Sequence, residues 1–309
     1  MELDLQNPLT CYNEDLQYDV VTSLFSNESD HMPCLLSFES SDLRLSIRRR
    51  ALSLISHAKL SYDLDPFLVY LSVNYVDRFL SKQEILEKRP WIAHILVLAG
   101  LSLAAKMTNS DLSISLSHLQ QREEGFEFDT QSVHRMETIL LAALQWRMRS
   151  ITPFSFLQYF LSLFKIEDSS LAQCLKHRAS DIIFSVQHEL KLLEYKPSII
   201  AASALLCSIQ DLAPLTFSSS KAAISSCDYV NKDTLLECLG VLQEITREGY
   251  YATASGTVTP VSVLDRQRTS SRSEEGDSSS GFPDGDIKRR RLNGFRDNRT
   301  FRTSQTQPC

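Results

Sequence analysis

Four charged residues stand where a helical repeat of apolar side chains would otherwise run unbroken, and they are the first candidates for chemistry in this chain. Lys106 prolongs the stripe Ile92, Ile95, Ala99 and Leu103, and Glu137 shares a face with Val133, Leu140, Leu141 and Leu144. Arg48 lies on the face of Ala51, Leu52 and Ile55, and Asp77 is flanked at helical spacing by Tyr70, Val73 and Leu80. A charge buried without a partner is costly, so each of the four requires a counter-charge. For Arg48 the best partner is Asp77, a structural ion pair that would hold two successive helices in register. For Lys106 and Glu137 three uses stay open. The ammonium can complement the negative end of its own helix, worth about 0.3–1 kcal/mol. The two side chains can bond each other, or they can offer a partner protein a charged anchor rimmed by apolar groups.

Catalysis lacks its parts. The chain has no Gly-rich phosphate loop, no nucleophile elbow and no His pair at metal-binding spacing, and its seven His residues are dispersed. The seven cysteines, scattered from Cys11 to Cys309, form no close pair resembling a metal knuckle. Reduced, mostly buried thiols are expected, with no catalytic residue, no metal and no cofactor.

The elements that must carry these charges are helices. Pro66, Pro90, Pro153 and Pro197 each precede an apolar run, and proline suits a first helical turn because its missing N–H would be unpaired there anyway. No sustained alternation of period two suggests strands. The segments LAGLSLAAKM around Ala99 and IAASALLCSI around Ala201 lie 102 residues apart, and both are rich in small residues. Small side chains let neighbouring helices approach closely, so each segment suits the centre of one bundle. The expected fold is all-α, with two tandem bundles of about five helices each.

Charge marks the boundaries. Residues 1–43 hold nine acidic residues and no Lys or Arg, residues 44–250 hold 22 of each sign, and residues 251–309 hold ten basic against seven acidic. Five of the nine glycines fall in that last stretch. We expect a mostly flexible acidic tail over 1–43, bundles over 44–150 and 151–250, and a disordered Ser-rich and basic tail over 251–309. No stretch reaches the roughly 18 uninterrupted apolar residues of a membrane span, and the acidic N-terminus lacks the positive start of a signal peptide. A soluble intracellular chain without membrane association is expected.

The runs YLSVNYVDRFLS (Tyr70–Ser81), SLAAKM (Ser102–Met107), RMETILLAALQWRMRSITPFSFL (Arg135–Leu157) and KPSIIAASALL (Lys196–Leu206) resemble the cyclin box of plant D-type cyclins, over roughly residues 44–250. Short length, the WRMRSITPFSFL segment and the CDYVNKDTLLEC segment lean toward the short D-six-like subgroup. The resemblance implies a regulatory subunit that binds and activates a cyclin-dependent protein kinase at the G1/S transition and carries no catalytic group. It implies that Lys106 and Glu137 grip the kinase near its mobile regulatory helix, with Leu103, Met107, Leu141, Trp146 and Met148 as apolar neighbours. Kinase inhibitor proteins are a further class of partner to consider. A cyclin-fold transcription-related protein that binds DNA or other factors is the alternative, but the neutral body shows no basic stripe, so no direct nucleic-acid contact is expected.

Departures from the family pattern carry expectations of their own. Thr108 and Asn109 stand where an acidic pair is common. Ile47, Arg50, Ala51 and Leu54 occupy the substrate-docking patch where apolar residues and a Trp are usual, which places recognition of Arg-x-Leu substrates in doubt. Near the N-terminus Leu9 and Cys11 keep the spacing of the Leu-x-Cys-x-Glu motif, but Asn13 takes the fifth position and Glu14 falls one later. In an extended peptide that slip turns Glu14 to the opposite face, so retinoblastoma-type binding is expected to be weak or absent.

In the tail, TSSRSEEGDSSSG (Thr269–Gly281) is too polar to offset the entropy of ordering. Thr259 before Pro260 is a candidate proline-directed phosphorylation site. Lys288, Arg289, Arg290 and Arg291 form a compact basic cluster suited to nuclear import, so a nuclear location is expected, with the cytoplasm as a second compartment.

Overall fold

The computed structural model describes residues 14–85, 89, 91–112, 119, 128–164, 166, 168–254 and 301–303. An N-terminal segment holds α1 (Glu14–Asn27), a 3-10 turn (Glu28–His31) and the single turn α2 (Leu36–Glu39). The first bundle holds α3 (Asp42–Tyr62), α4 (Pro66–Lys82), the short strand β1 (Gln83–Ile85), α5 (Trp91–Thr108) and α6 (Thr130–Ala143). The second holds α7 (Phe154–Leu163), α8 (Ser169–Val186), α9 (Pro197–Leu212), α10 (Phe217–Ser225) and α11 (Lys232–Ala254), and strand β2 (Phe301–Thr303) follows. The fold is all-α in two helical bundles.

Helix starts follow local chemistry. Pro66 and Pro197 occupy the first turns of α4 and α9. The Asp65 carboxylate accepts from the backbone N–H groups of Phe67 and Leu68 at 2.9 and 3.1 Å, and Asp129 and Asp168 cap α6 and α8 in the same manner. Pro90 lies outside the described residues.

Each bundle is built around one helix with no solvent face. Every residue of α5 from Ile92 to Ala105 is buried against α3, α4 and α6, and every residue of α9 from Pro197 to Ile209 is buried against α7, α8, α10 and α11. These are the two small-residue segments singled out above. At Gly100 a Cβ would meet Ser72 Oγ at 3.0 Å and Val76 Cγ2 at 3.3 Å, so α4 and α5 are as close as a hydrogen side chain allows. The same α5 spans 18 residues with a mean hydropathy of 1.5, long and apolar enough to cross a membrane. His94, Ser102 and Lys106 interrupt its apolar run, and 78% of it is buried inside the bundle; it is the core helix of the first bundle.

The N-terminal segment differs from the expected flexible tail over 1–43. Helix α1 begins at Glu14, and within residues 19–43 Val21, Phe25, Glu28 and Phe38 are buried against the bundles. The acidic composition concealed a few anchors whose burial offsets the cost of ordering. At the other end α11 runs to Ala254, and Phe301–Thr303 pairs antiparallel with Gln83–Ile85, which departs from a tail disordered throughout 251–309. Thr259, the Thr269–Gly281 segment and the basic cluster Lys288–Arg291 lie outside the described residues, as do Leu9, Cys11 and Asn13.

Candidate functional site

Lys106 in the last turn of α5 and Glu137 in the middle of α6 meet where the two helices pack. The Lys106 Nζ donates to both Glu137 carboxylate oxygens at 2.7 Å, and His134 Nδ1 lies 3.2 Å from Oε2. The Glu137 side chain is 6% exposed and that of Lys106 is 59% exposed. Burial pushes the Glu137 carboxyl up, but hydrogen bonds from Lys106, Ser102 and His134 outweigh it and hold the pKa below the ordinary value. Of the uses left open by the sequence, the internal pair is therefore made, and the ammonium also keeps an open face. An ammonium has three donors, so capacity for a further acceptor remains on that side.

Of the apolar residues, Met107, Leu141, Trp146 and Met148 line one cleft, and Leu103 lies one turn before Lys106 on α5. Leu103 and Met148 are buried, Met107 and Leu141 are half-buried, and Trp146 is 71% exposed. Trp146 is held out by the way α6 ends. Its N–H donates to the carbonyl of Leu141 at 2.9 Å, and that of Gln145 to Ala142 at 3.0 Å, the paired bonds of a left-handed helix C-terminus. Gln145 at φ 54° and Trp146 at φ 60° both occupy the region that favours glycine, a conformation that persists only where surrounding structure enforces it.

The enforcement comes from α4. Arg78 Nη1 donates to the Arg147 carbonyl at 3.1 Å and to Ser150 Oγ at 2.9 Å, and the Tyr75 hydroxyl donates to the Met148 carbonyl at 2.6 Å. Arg78 is fully buried, and its Nε and Nη2 have no hydrogen-bond partner among the described residues. Burial, together with the nearby Arg147, lowers its pKa to about 10, so it stays charged at neutral pH. Sequence reasoning missed Arg78. The signal was a second charge directly after Asp77 on an otherwise apolar helix.

An open cleft of about 810 Å³ lies beside Trp146, lined by Met107, Leu141, Arg147 and Arg149 from the first bundle and by Asp30 and His31 from the N-terminal segment. Arg147 and Asp30 bridge it at 3.1 Å. Burial and Arg78 together bring His31 to a pKa of about 4, so it is neutral at pH 7. The wall bearing Asp30 and His31 is fixed by the preceding residues. Glu28, 1% exposed, accepts from the Ser198 N–H at 2.9 Å and its hydroxyl at 3.0 Å, with Lys196 Nζ 3.7 Å away. Phe25 stacks on Tyr229 at 4.4 Å between ring centroids, and Thr22 Oγ1 lies 2.9 Å from the Tyr229 hydroxyl. The N-terminal segment thus straps the second bundle and ends as a wall of a cleft on the first.

Arg48 and Asp77 form a buried bidentate pair at 3.0 and 3.1 Å. Beyond holding α3 to α4, Arg48 donates to the carbonyls of Gln187 at 2.9 Å and His188 at 3.0 Å, just past the end of α8. One guanidinium therefore joins the two bundles, which the sequence did not suggest. On the same α3, Ile47 and Ala51 are buried, Leu54 is half-buried and Arg50 is exposed, so the expected docking patch offers little apolar surface.

Among the described residues no group of three or more His, Cys, Asp or Glu is placed to hold a metal, and Cys34, Cys174, Cys207, Cys227 and Cys238 are free thiols. Burial pushes the Cys207 and Cys238 thiols up to about 12, which leaves them protonated and unreactive.

Two helical bundles, each closed around a small-residue helix and joined just after Ser150, are the architecture of a cyclin. A family model described as "Cyclin, N-terminal domain" matches residues 19–149 and another described as "Cyclin, C-terminal domain" matches residues 151–257; the chain belongs to the cyclin family. Within that family its similarities are to plant D-type cyclins. It is 42% identical over 289 residues to "Putative cyclin-D6-1" of Arabidopsis thaliana, covering 89% of this chain and 93% of that one. It is 36% identical over 281 residues to "Cyclin-D6-1" of Oryza sativa subsp. japonica, covering 89% and 84%. A viral cyclin from herpesvirus saimiri shares the fold, with a TM-score of 0.55 at 20% identity over 68% of this chain and 88% of that one. Membership of this family makes the chain a regulatory protein rather than an enzyme.

Proposed function

We propose that this chain is a D-type cyclin that binds and activates a cyclin-dependent protein kinase and so promotes the G1/S transition and cell division. The observation that carries the reading is the Lys106–Glu137 pair with its exposed ammonium, next in sequence to Met107, which with Leu141 and Trp146 lines an open cleft. A half-exposed ammonium orients a partner's backbone carbonyls, and an exposed indole supplies an anchor that is buried on binding and dominates interface energetics. Met148 lines the same cleft, and Leu103 is buried one turn before Lys106.

Activation is a shift in population. The kinase alternates between conformers in which its regulatory helix is swung in or out, and a partner with higher affinity for the swung-in form enriches it. That form pairs the Glu of the helix with the Lys that orients ATP, so the cyclin supplies binding energy and no reacting group. The basic cluster Lys288–Arg291 supports action in the nucleus. Replacement of the motif's fifth residue by Asn13 supports weak or absent binding to retinoblastoma-type proteins.

The test is a pull-down of recombinant kinase with Lys106→Glu and Glu137→Ala. Both variants should lose kinase binding while the helical circular dichroism is unchanged. Wild-type binding by both would show that the docking face lies elsewhere.

A further inference from the structure

The cleft beside Trp146 carries an unbalanced charge. Arg147 and Arg149 line it, and Arg78 stands behind the strand of chain that connects them, bonded to the Arg147 carbonyl. Lys82 belongs to the same field, since Arg78, Arg147 and Asp30 all act on it. Against these four cations the carboxylate that answers is Asp30, which holds Arg147 at 3.1 Å. Among the described residues Arg149 makes no ion pair, and buried Arg78 has no acidic partner and two unpartnered nitrogens. A buried guanidinium without a counter-charge is a standing cost that an incoming anion lessens.

We infer that this cleft is a carboxylate-docking site, where an acidic side chain of the kinase takes up Arg147 and Arg149 and Asp30 stands in for it in the free chain. The inference rests on the reading of the Trp146 face as the kinase-docking face and names the chemistry of what docks there. Asp30 suits the role of a stand-in because it is replaceable. Its side chain is 57% exposed and that of Arg147 is 54% exposed, and ion pairs so well hydrated are weak. Asp30 also takes no part in the bonds of Glu28 to Ser198, so releasing Arg147 breaks none of them. Trp146, Met107 and Leu141 alongside exclude water once a partner is seated, which strengthens the charge contact relative to the open pair.

The sign of one substitution separates a stand-in from a structural strut. If Asp30 competes with the partner, Asp30→Asn frees Arg147 and tightens binding; if it braces the wall, the same change loosens it. The experiment measures the affinity of the full chain for a recombinant, phosphatase-treated cyclin-dependent kinase at physiological salt. Arg147→Glu should weaken binding about tenfold or more, and the loss should shrink as salt rises. Asp30→Asn should tighten binding by about two- to threefold. Arg149→Gln, at an exposed residue with no ion pair, should weaken binding and keeps the test in hand should Arg147→Glu fail to fold.

Weaker binding by Asp30→Asn, or wild-type affinity in both arginine variants, overturns the inference while leaving the kinase reading intact. An effect of the arginine variants confined to phosphorylated kinase replaces the carboxylate by a phosphate and overturns it as well. Full binding by Lys106→Glu together with Trp146→Ala would instead remove the kinase reading beneath it.

Discussion

The carboxylate of Glu28 caps the first turn of α9 by accepting from both the backbone and the hydroxyl of Ser198, 170 residues away. An anion at a helix N-terminus meets unpaired N–H groups and the positive end of the helix dipole, which offsets the cost of burying it. Through this contact the second bundle fixes the position of Asp30 and His31 on a cleft that belongs to the first.

Glu28→Ala should lower stability by about 1–3 kcal/mol, because it leaves the Ser198 N–H buried without an acceptor. Glu28→Gln should be tolerated far better. Burial raises the Glu28 pKa against the opposing pull of Ser198 and Lys196, so loss of the charge costs less at this site than in water, and an amide oxygen still accepts from Ser198. Urea melts at pH 7 compare the two; equal losses would mean that the charge, not the hydrogen bonds, holds the strap.

Glu137 has the opposite sign. Its pKa is lowered below 4.5 in the folded chain, so it contributes stability above pH 4.5 and loses it as pH falls through the folded value. The difference in melting temperature between wild type and Glu137→Gln should be constant from pH 7 to about 5 and shrink below that. A difference that widens on acidification would contradict the assignment of Lys106 as the group that holds the carboxylate charged.

Arg48→Ala should cost about 3–5 kcal/mol, since it strands the buried Asp77 and frees the carbonyls of Gln187 and His188. Because the guanidinium also joins the bundles, the urea transition of this variant should broaden as the two halves uncouple. Unfolding as sharp and as late as in wild type would remove Arg48 as the joint.

Trp146→Ala should leave stability within about 0.5 kcal/mol of wild type, because the indole is exposed, yet weaken the kinase complex by about 2 kcal/mol or more. Gln145→Gly, in contrast, should stabilise the free chain by roughly 0.5–1 kcal/mol, the left-handed strain relieved less the added entropy of glycine in the unfolded state. Chemical denaturation and calorimetric titration with kinase separate the two effects.

Much of this molecule is written locally. Pro66 and Pro197 start helices because a ring without an N–H belongs in a first turn, and the stripes through Ala99 and Ala201 are buried because only small side chains let several helices crowd one axis. The Arg48–Asp77 pairing followed from the cost of two lone charges on apolar faces. The acidic N-terminal segment misled, because composition averages over the single Phe25 and Glu28 that anchor it.

By itself the chain of residues determined which faces turn inward, where helices begin and to which family it belongs, since periodicity and capping act over one or two turns. Only the tertiary structure decided that Lys106 bonds Glu137, that Arg48 reaches the carbonyls of the second bundle, that Arg78 pins the turn presenting Trp146, and that Glu28 finds Ser198. A helical pattern states that a face is buried and leaves unstated which of many buried faces it meets; that choice is made by packing between segments far apart in the chain.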